Sequence, residues 1–135
     1  YALINNGFDI VEVSLDKALP EKLDILVIAD MKTPLSAGEM NRLNAYVERG
    51  GNLLIVGEPR RQNIMNPIIE QFGVQLMSGQ LVRPTEHFTP DLVLARATEE
   101  AGEMSYLFNS LRYANGVIAM PGCSAWSTLI IRGIK

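Results

Sequence analysis

The chain has 135 residues, a net charge of −3, 47% hydrophobic residues and 20% charged ones. That balance belongs to one folded domain with a real core and excludes an intrinsically disordered chain. It leaves no basic field for a nucleic-acid backbone, so no nucleic-acid partner is expected. The single cysteine excludes an internal disulfide framework and a cysteine-rich zinc site.

The chain opens on Tyr1-Ala2-Leu3-Ile4-Asn5-Asn6-Gly7. This reads as the last turn of a helix closed by Gly7, and therefore as a piece of a longer protein. Residues 8–13, Phe-Asp-Ile-Val-Glu-Val, read as a strand near a sheet edge. Residues 25–29, Ile-Leu-Val-Ile-Ala, are apolar throughout and suit a strand covered on both faces, as in parallel sheets. In Pro34-Leu35-Ser36-Ala37-Gly38-Glu39, a serine stands three residues before a glutamate. That is a capping box, in which each side chain satisfies a free backbone N–H at a helix start. Met40, Leu43 and Val47 then recur on one helical face with Tyr46 beside them, and Gly50-Gly51 stops the helix. Leu53-Leu54-Ile55-Val56 is the next buried strand. Strand, helix, strand in this order predicts a right-handed parallel βαβ unit.

A second helix is predicted from Gln62 to Phe72, with Ile64, Ile68 and Phe72 on one face. Pro67 either lies in its first turn, with a start near Asn66, or kinks it. Gly73 ends it. Leu76, Leu81 and Val82 suggest short strands broken by Gly79, Pro84 and Pro90. Residues 92–95 suggest another. Met104, Leu107, Phe108 and Leu111 predict one helix from Glu99 to Tyr113. Val117 to Met120 reads as a strand after the Asn115-Gly116 turn, and residues 129–131 as a further one. The alternation gives an open, mostly parallel α/β sheet, whose ligands bind beyond the carboxyl ends of the strands. Asp30-Met31-Lys32-Thr33, Glu58-Pro59-Arg60-Arg61 and Pro121-Gly122-Cys123-Ser124 occupy those ends.

Cys123 is the candidate nucleophile, because a thiol past a strand end can be activated by a histidine or a helix N-terminus. The only histidine is His87, with Glu86 or Glu58 as its orienting carboxylate. Against this stands the common role of a small, structural cysteine in a turn. Glu58 with Arg60 and Arg61 has the charges to hold a polar or anionic ligand, or to serve as a solvated loop. Asp30, Lys32 and Ser124 occupy similar strand ends. Trp126 suits stacking on a sugar or a partner, or simple packing. Neither phosphate-loop signature occurs, nor the G-x-S-x-G elbow, and no metal or other cofactor is expected.

The stretch "DILVIADMKTPLSAGEMNRLNAYVERGGNLLIVGEP", Asp24 to Pro59, resembles the extracytoplasmic domain of ABC-2-type transport accessory proteins, the group that includes gliding-motility-associated auxiliary components. The matching positions are Leu35, Ser36, Glu39, Leu43, Tyr46, Gly50, Gly51, Glu58 and Pro59. "NPIIEQFGVQL", Asn66 to Leu76, and the turn at Met120 to Gly122 extend the likeness. The resemblance implies a flavodoxin-like or class I glutamine amidotransferase-like fold without amidotransferase chemistry. It implies a domain on the periplasmic side of the inner membrane, attached to permease helices of its parent or of a partner subunit, with the ABC ATPase as a separate subunit. Amidotransferases place their cysteine before the histidine in the chain, whereas here His87 precedes Cys123.

The sequence therefore reads as a single non-catalytic α/β domain that serves binding or assembly and does not itself span the membrane. Two other readings stand beside it: an amidotransferase-like hydrolase using Cys123, and a small-ligand or carbohydrate-binding module using Glu58, Arg60 and Trp126. On the leading reading Asp30, Lys32, Glu58, Arg60, Arg61 and Ser124 gather on one rim with Trp126 near it.

Overall fold

The computed structural model describes residues 2–129, and the chain divides into two compact units, Tyr1–Val56 and Gly57–Lys135.

In the first unit a short helix, α1 (Ala2–Asn5), ends at Gly7, and a long irregular segment leads to β1 (Ile25–Ala29), α2 (Ala37–Glu48) and β2 (Asn52–Val56). β1 and β2 pair in parallel, from Ile25 opposite Asn52 to Ala29 opposite Val56, which makes the expected βαβ unit. The capping box is formed: Ser36 Oγ accepts from Glu39 N at 3.3 Å and Glu39 Oε2 accepts from Ser36 N at 2.7 Å. At the other end Gly50 takes φ +88 and donates its N–H to the Val47 carbonyl. That left-handed conformation is the one a helix stop needs and a side chain resists. Gly51 serves differently. A β-carbon there would stand 2.3 Å from Cζ of Tyr46, so the ring of Tyr46 fills the space that glycine leaves.

The strand expected at residues 8–13 does not form. Among the described residues this segment has no ladder partner, and Phe8, Ile10 and Val11 are exposed. The chain that follows it is tied to α2. Arg42, Tyr46 and Arg49, spaced four and three apart, form one stripe of that helix. Arg42 Nη1 donates to the Leu15 carbonyl at 2.9 Å, Tyr46 Oη to the Leu23 carbonyl at 3.2 Å, and Arg49 Nη2 to the Pro20 carbonyl at 2.6 Å. The segment leading into β1 is thus held by side chains rather than by a neighbouring strand. Leu19, Leu26, Ile28, Leu43 and Tyr46 are the buried side chains of this unit.

The second unit starts with α3 (Gln62–Ile69), a 3-10 turn (Glu70–Phe72) and β3 (Val74–Leu76). α3 begins at Gln62 and runs through Pro67, whose missing N–H leaves the Asn63 carbonyl without its helical donor. Met65, Ile68 and Ile69 form the buried face. The α-helix ends at Ile69, so Phe72 falls in the tighter turn and is exposed rather than on the expected Ile64–Ile68–Phe72 face. β4 (Leu92–Ala95) pairs antiparallel with β5 (Ile118–Pro121), and β3 pairs antiparallel with β6 (Trp126–Thr128). The suggested strand at Leu81 and Val82 is irregular, and β6 carries no sequence signal read above. Leu129 follows β6 outside any strand, and residues 130–131 of the suggested last strand lie outside the described residues.

The single helix expected from Glu99 to Tyr113 is two: α4 (Glu99–Met104) and α5 (Tyr106–Tyr113). Ser105 between them is extended, with φ −148 and ψ 128. Gly102 explains the break. It is buried, and the Arg112 side chain lies 2.9 Å from where its β-carbon would be, so α4 folds back against α5 through the glycine. Met104 and Leu107, expected on a buried face, are exposed as a result. Thr98 caps α4 by accepting from Ala101 N at 3.2 Å.

Candidate functional site

Asp30 and Lys32 belong to the first unit; Glu58, Arg60, Arg61, Ser124 and Trp126 belong to the second. Asp30 follows β1 directly and takes a left-handed conformation, φ 52, which aspartate tolerates better than most residues. Lys32 Nζ donates to Asp30 Oδ1, and both side chains are exposed. An exposed pair two residues apart adds little stability.

The loop that opens the second unit carries a denser set. Arg60 adopts φ 66, a conformation costly for a long side chain, and is exposed. Arg61 precedes α3, and its Nε lies 3.9 Å from Glu58 Oε2. Arg61 N–H donates to the Glu58 carbonyl, and the Arg61 carbonyl accepts from Ile64 and Met65, so the loop is locked onto the helix start. Trp126 reaches this loop from β6: a β-carbon on Gly57 would stand 3.6 Å from its Cζ2 and 3.5 Å from Leu76 Cδ2. A half-exposed indole thus lies beside the residue preceding Glu58. Sequence spacing gives no sign of this approach, because it depends on the β3–β6 ladder that sets Trp126 opposite Leu76.

Ser124 lies in the turn between β5 and β6, and its hydroxyl donates to the Gly79 carbonyl. Neighbouring backbone bonds, Leu81 N to Cys123 O and Met77 N to Ala125 O, both 2.8 Å, stitch the same turn to residues 77–81. Cys123 is a half-buried free thiol within that stitch. His87 lines an open cleft of about 240 Å³ with Arg83, Thr85, Phe88, Leu92 and Leu94. Among the described residues no hydrogen bond joins His87 to Cys123. Among them, too, no three His, Cys, Asp or Glu side chains gather as metal ligands.

Two carboxylates are held below their ordinary range. Glu39 is lowered by the Ser36 side-chain and backbone hydrogen bonds of the capping box. Glu100 is lowered by its own backbone N–H and by the Thr98 hydroxyl. Both shifts belong to helix starts, where free N–H groups and the helix dipole favour an anion.

Among the described residues the elements are helices with three two-stranded ladders, one parallel and two antiparallel, and charged loops follow β1 and β2. The family model described as an ABC-type uncharacterized transport system matches residues 1–115, and the chain belongs to that family, an auxiliary component of ABC-type transport systems. No curated protein sequence matches the chain. Among solved structures, the mmIFT52 N-terminal domain is similar with a TM-score of 0.63 at 19% identity, over 89% of this chain and 57% of that one. At that identity the likeness concerns the fold alone, and the chain spans somewhat more than half of that domain's length. Among the described residues no helix is long and apolar enough to cross a membrane.

Proposed function

We propose that the chain is a non-catalytic, extracytoplasmic domain of an ABC-2-type transporter permease or accessory protein, acting in binding or assembly of the transport complex. The carrying observation is the match to an ABC transport family over residues 1–115. On this reading the domain is part of a longer membrane protein at the periplasmic face of the inner membrane. It is joined to permease helices and works with a separate ATPase subunit. The fold would be the open flavodoxin-like or class I amidotransferase-like arrangement, to which the β1–α2–β2 crossover contributes its parallel core.

The contact residues proposed are Asp30 and Lys32 in one unit and Glu58, Arg60, Arg61, Ser124 and Trp126 in the other. What supports Arg60 and Trp126 most is their placement: an exposed arginine on a left-handed backbone two residues past Glu58, and an indole beside Gly57. A planar guanidinium and an aromatic face suit a carboxylate-bearing partner surface. Such contacts are charge-assisted and weaken with salt.

The test is made in the parent complex. Arg60→Ala with Arg61→Ala is expected to lower transport while the domain's melting temperature stays within a few degrees of the wild type. Unchanged transport would reduce these arginines to a solvated loop. Location is tested apart from this by fusing a periplasm-dependent reporter to the domain; reporter activity confined to the cytoplasm would refute the extracytoplasmic placement without touching the family assignment.

A further inference from the structure

The cleft that His87 lines is built by one short segment, residues 83–94 of the second unit. Arg83 N–H donates to the Pro90 carbonyl at 2.7 Å, which draws the ends of the 83–90 loop together. Inside the loop the Thr85 hydroxyl accepts from Phe88 N at 3.1 Å and donates to Phe88 O at 3.2 Å. Pro84 and Pro90 each fix one backbone angle. Leu92 N then donates to the Thr89 carbonyl at 3.0 Å and opens β4, which its ladder with β5 holds in place. Leu92 and Leu94, two apart on that strand, share one of its faces. The cleft therefore has a strand for one wall and a closed loop for the other. A loop whose ends are tied and whose interior is bonded is ordered before any ligand arrives, which lowers the cost of binding.

The lining divides by chemistry. Phe88, Leu92 and Leu94 are apolar; Arg83, Thr85 and His87 are polar. The Thr85 hydroxyl is engaged with Phe88. Among the described residues nothing is ion-paired or hydrogen-bonded to the Arg83 guanidinium. Among them, too, no carboxylate lines the cleft, although Glu86 and Asp91 lie on the same segment. A guanidinium offers a carboxylate two parallel N–H donors, and an imidazole keeps at least one N–H in either protonation state. The polar side thus calls for an anion and the apolar side for a hydrocarbon body. Size narrows the choice. A cavity of about 150 Å³ accepts a benzene ring. The 240 Å³ of this cleft suits a ring with a short acid arm.

We propose that the cleft binds a small aromatic monocarboxylate, with its carboxylate on Arg83 and His87 and its ring against Phe88, Leu92 and Leu94. The site shares no residue with the contact set proposed above, so either can fail without the other.

The experiment titrates 3-phenylpropionate into the ¹⁵N-labelled 135-residue chain at physiological ionic strength and follows the amide shifts. Saturable shifts are expected within residues 83–94, with a Kd of the order of 1 mM for a ligand of about eleven non-hydrogen atoms. 3-Phenylpropionamide has the same shape without the charge and should bind at least about 10-fold more weakly. Acetate has the charge without the ring and should also bind at least about 10-fold more weakly. Arg83→Gln should weaken 3-phenylpropionate at least about 10-fold, and His87→Ala at least about 3-fold. Shifts that never saturate, or that spread over the whole chain, would overturn the proposal. Equal binding of the amide would overturn it by leaving only an apolar groove, and equal binding of acetate by leaving only an exposed arginine. Unchanged affinity in folded Arg83→Gln would do the same. If that variant does not fold, the amide comparison on the wild-type chain decides the point.

Discussion

Replacing Gly51 by alanine tests how closely α2 is seated on its strands. The new methyl would lie 2.3, 2.4 and 2.6 Å from Cζ, Cε1 and Cε2 of Tyr46. Ordinary contact begins near 3.4 Å, so the ring or the backbone must move by about 1 Å. The ring cannot yield cheaply. Tyr46 is 2% exposed, and its hydroxyl sits between the carbonyls of Leu23 at 3.2 Å and Asn52 at 3.0 Å. Arg49 lies over its face, 5.3 Å from the ring centre. Overpacking of a rigid site costs about 1–3 kcal/mol. Losing the shared hydroxyl hydrogen bond adds about 1 kcal/mol. Against this, alanine restricts the unfolded chain and returns about 0.5–1 kcal/mol. The net expectation is a loss of about 1–3.5 kcal/mol, a large share of a typical 5–15 kcal/mol. Urea melts followed by far-UV circular dichroism would show it as a lowered midpoint at constant slope. The control is Gly51→Ala in a Tyr46→Leu background, where the clash is gone and the loss should shrink by more than half. A Gly51→Ala effect below about 0.5 kcal/mol, or one equal in both backgrounds, would refute the reasoning.

Ser36→Ala should cost about 1 kcal/mol in the same melt, since it removes the formed N-cap. Glu39 adds a pH dependence whose sign is fixed by its lowered pKa: its contribution is present above the ordinary glutamate value of 4.5 and is lost as pH falls through the folded value. An acid titration of stability should therefore be flatter below that pH in Glu39→Gln. Asn66→Ala should cost about 2 kcal/mol, because its amide accepts from Leu76 N at 2.9 Å and donates to Leu76 O at 3.3 Å. Hydrogen exchange at Leu76 should rise with it, and an unchanged rate there would count against the bridge.

The first unit was largely legible because its signals are local. The capping box, the glycine stop and two apolar runs specify β1–α2–β2 within about 30 residues, and each cue acts over a turn or less. Residues 8–13 misled because β-propensity measures fit to a partner surface. Among the described residues no strand pairs with them, and the chain that follows is tied to α2 by Arg42 at Leu15, Tyr46 at Leu23 and Arg49 at Pro20. The second unit is harder to read because its ladders are short and join distant segments, such as Val74 with Thr128. Three-residue strands carry too little pattern to declare themselves. The α4–α5 break depended on Gly102 being packed against Arg112, which periodicity alone does not reveal. The same holds for the candidate site. Asp30, Glu58, Arg60 and Arg61 follow from their place after strands, but the approach of Trp126 to Gly57 exists only once β3 and β6 have paired.

The Asn66 bridge also bears on how this molecule meets its own kind. Leu76 stands opposite Trp126, yet its N–H and C=O are both taken by the Asn66 side chain, while Gln62 Nε2 holds the Met77 carbonyl at 2.7 Å. The Asn66 amide therefore occupies the Leu76 backbone groups on the margin of β3, and Gln62 takes the carbonyl just past its end. An open strand margin is a template on which another chain can add and begin an aggregate. By occupying the Leu76 end of it with a side chain from its own preceding helix, the protein shortens the stretch of strand open to intermolecular pairing without lengthening the sheet.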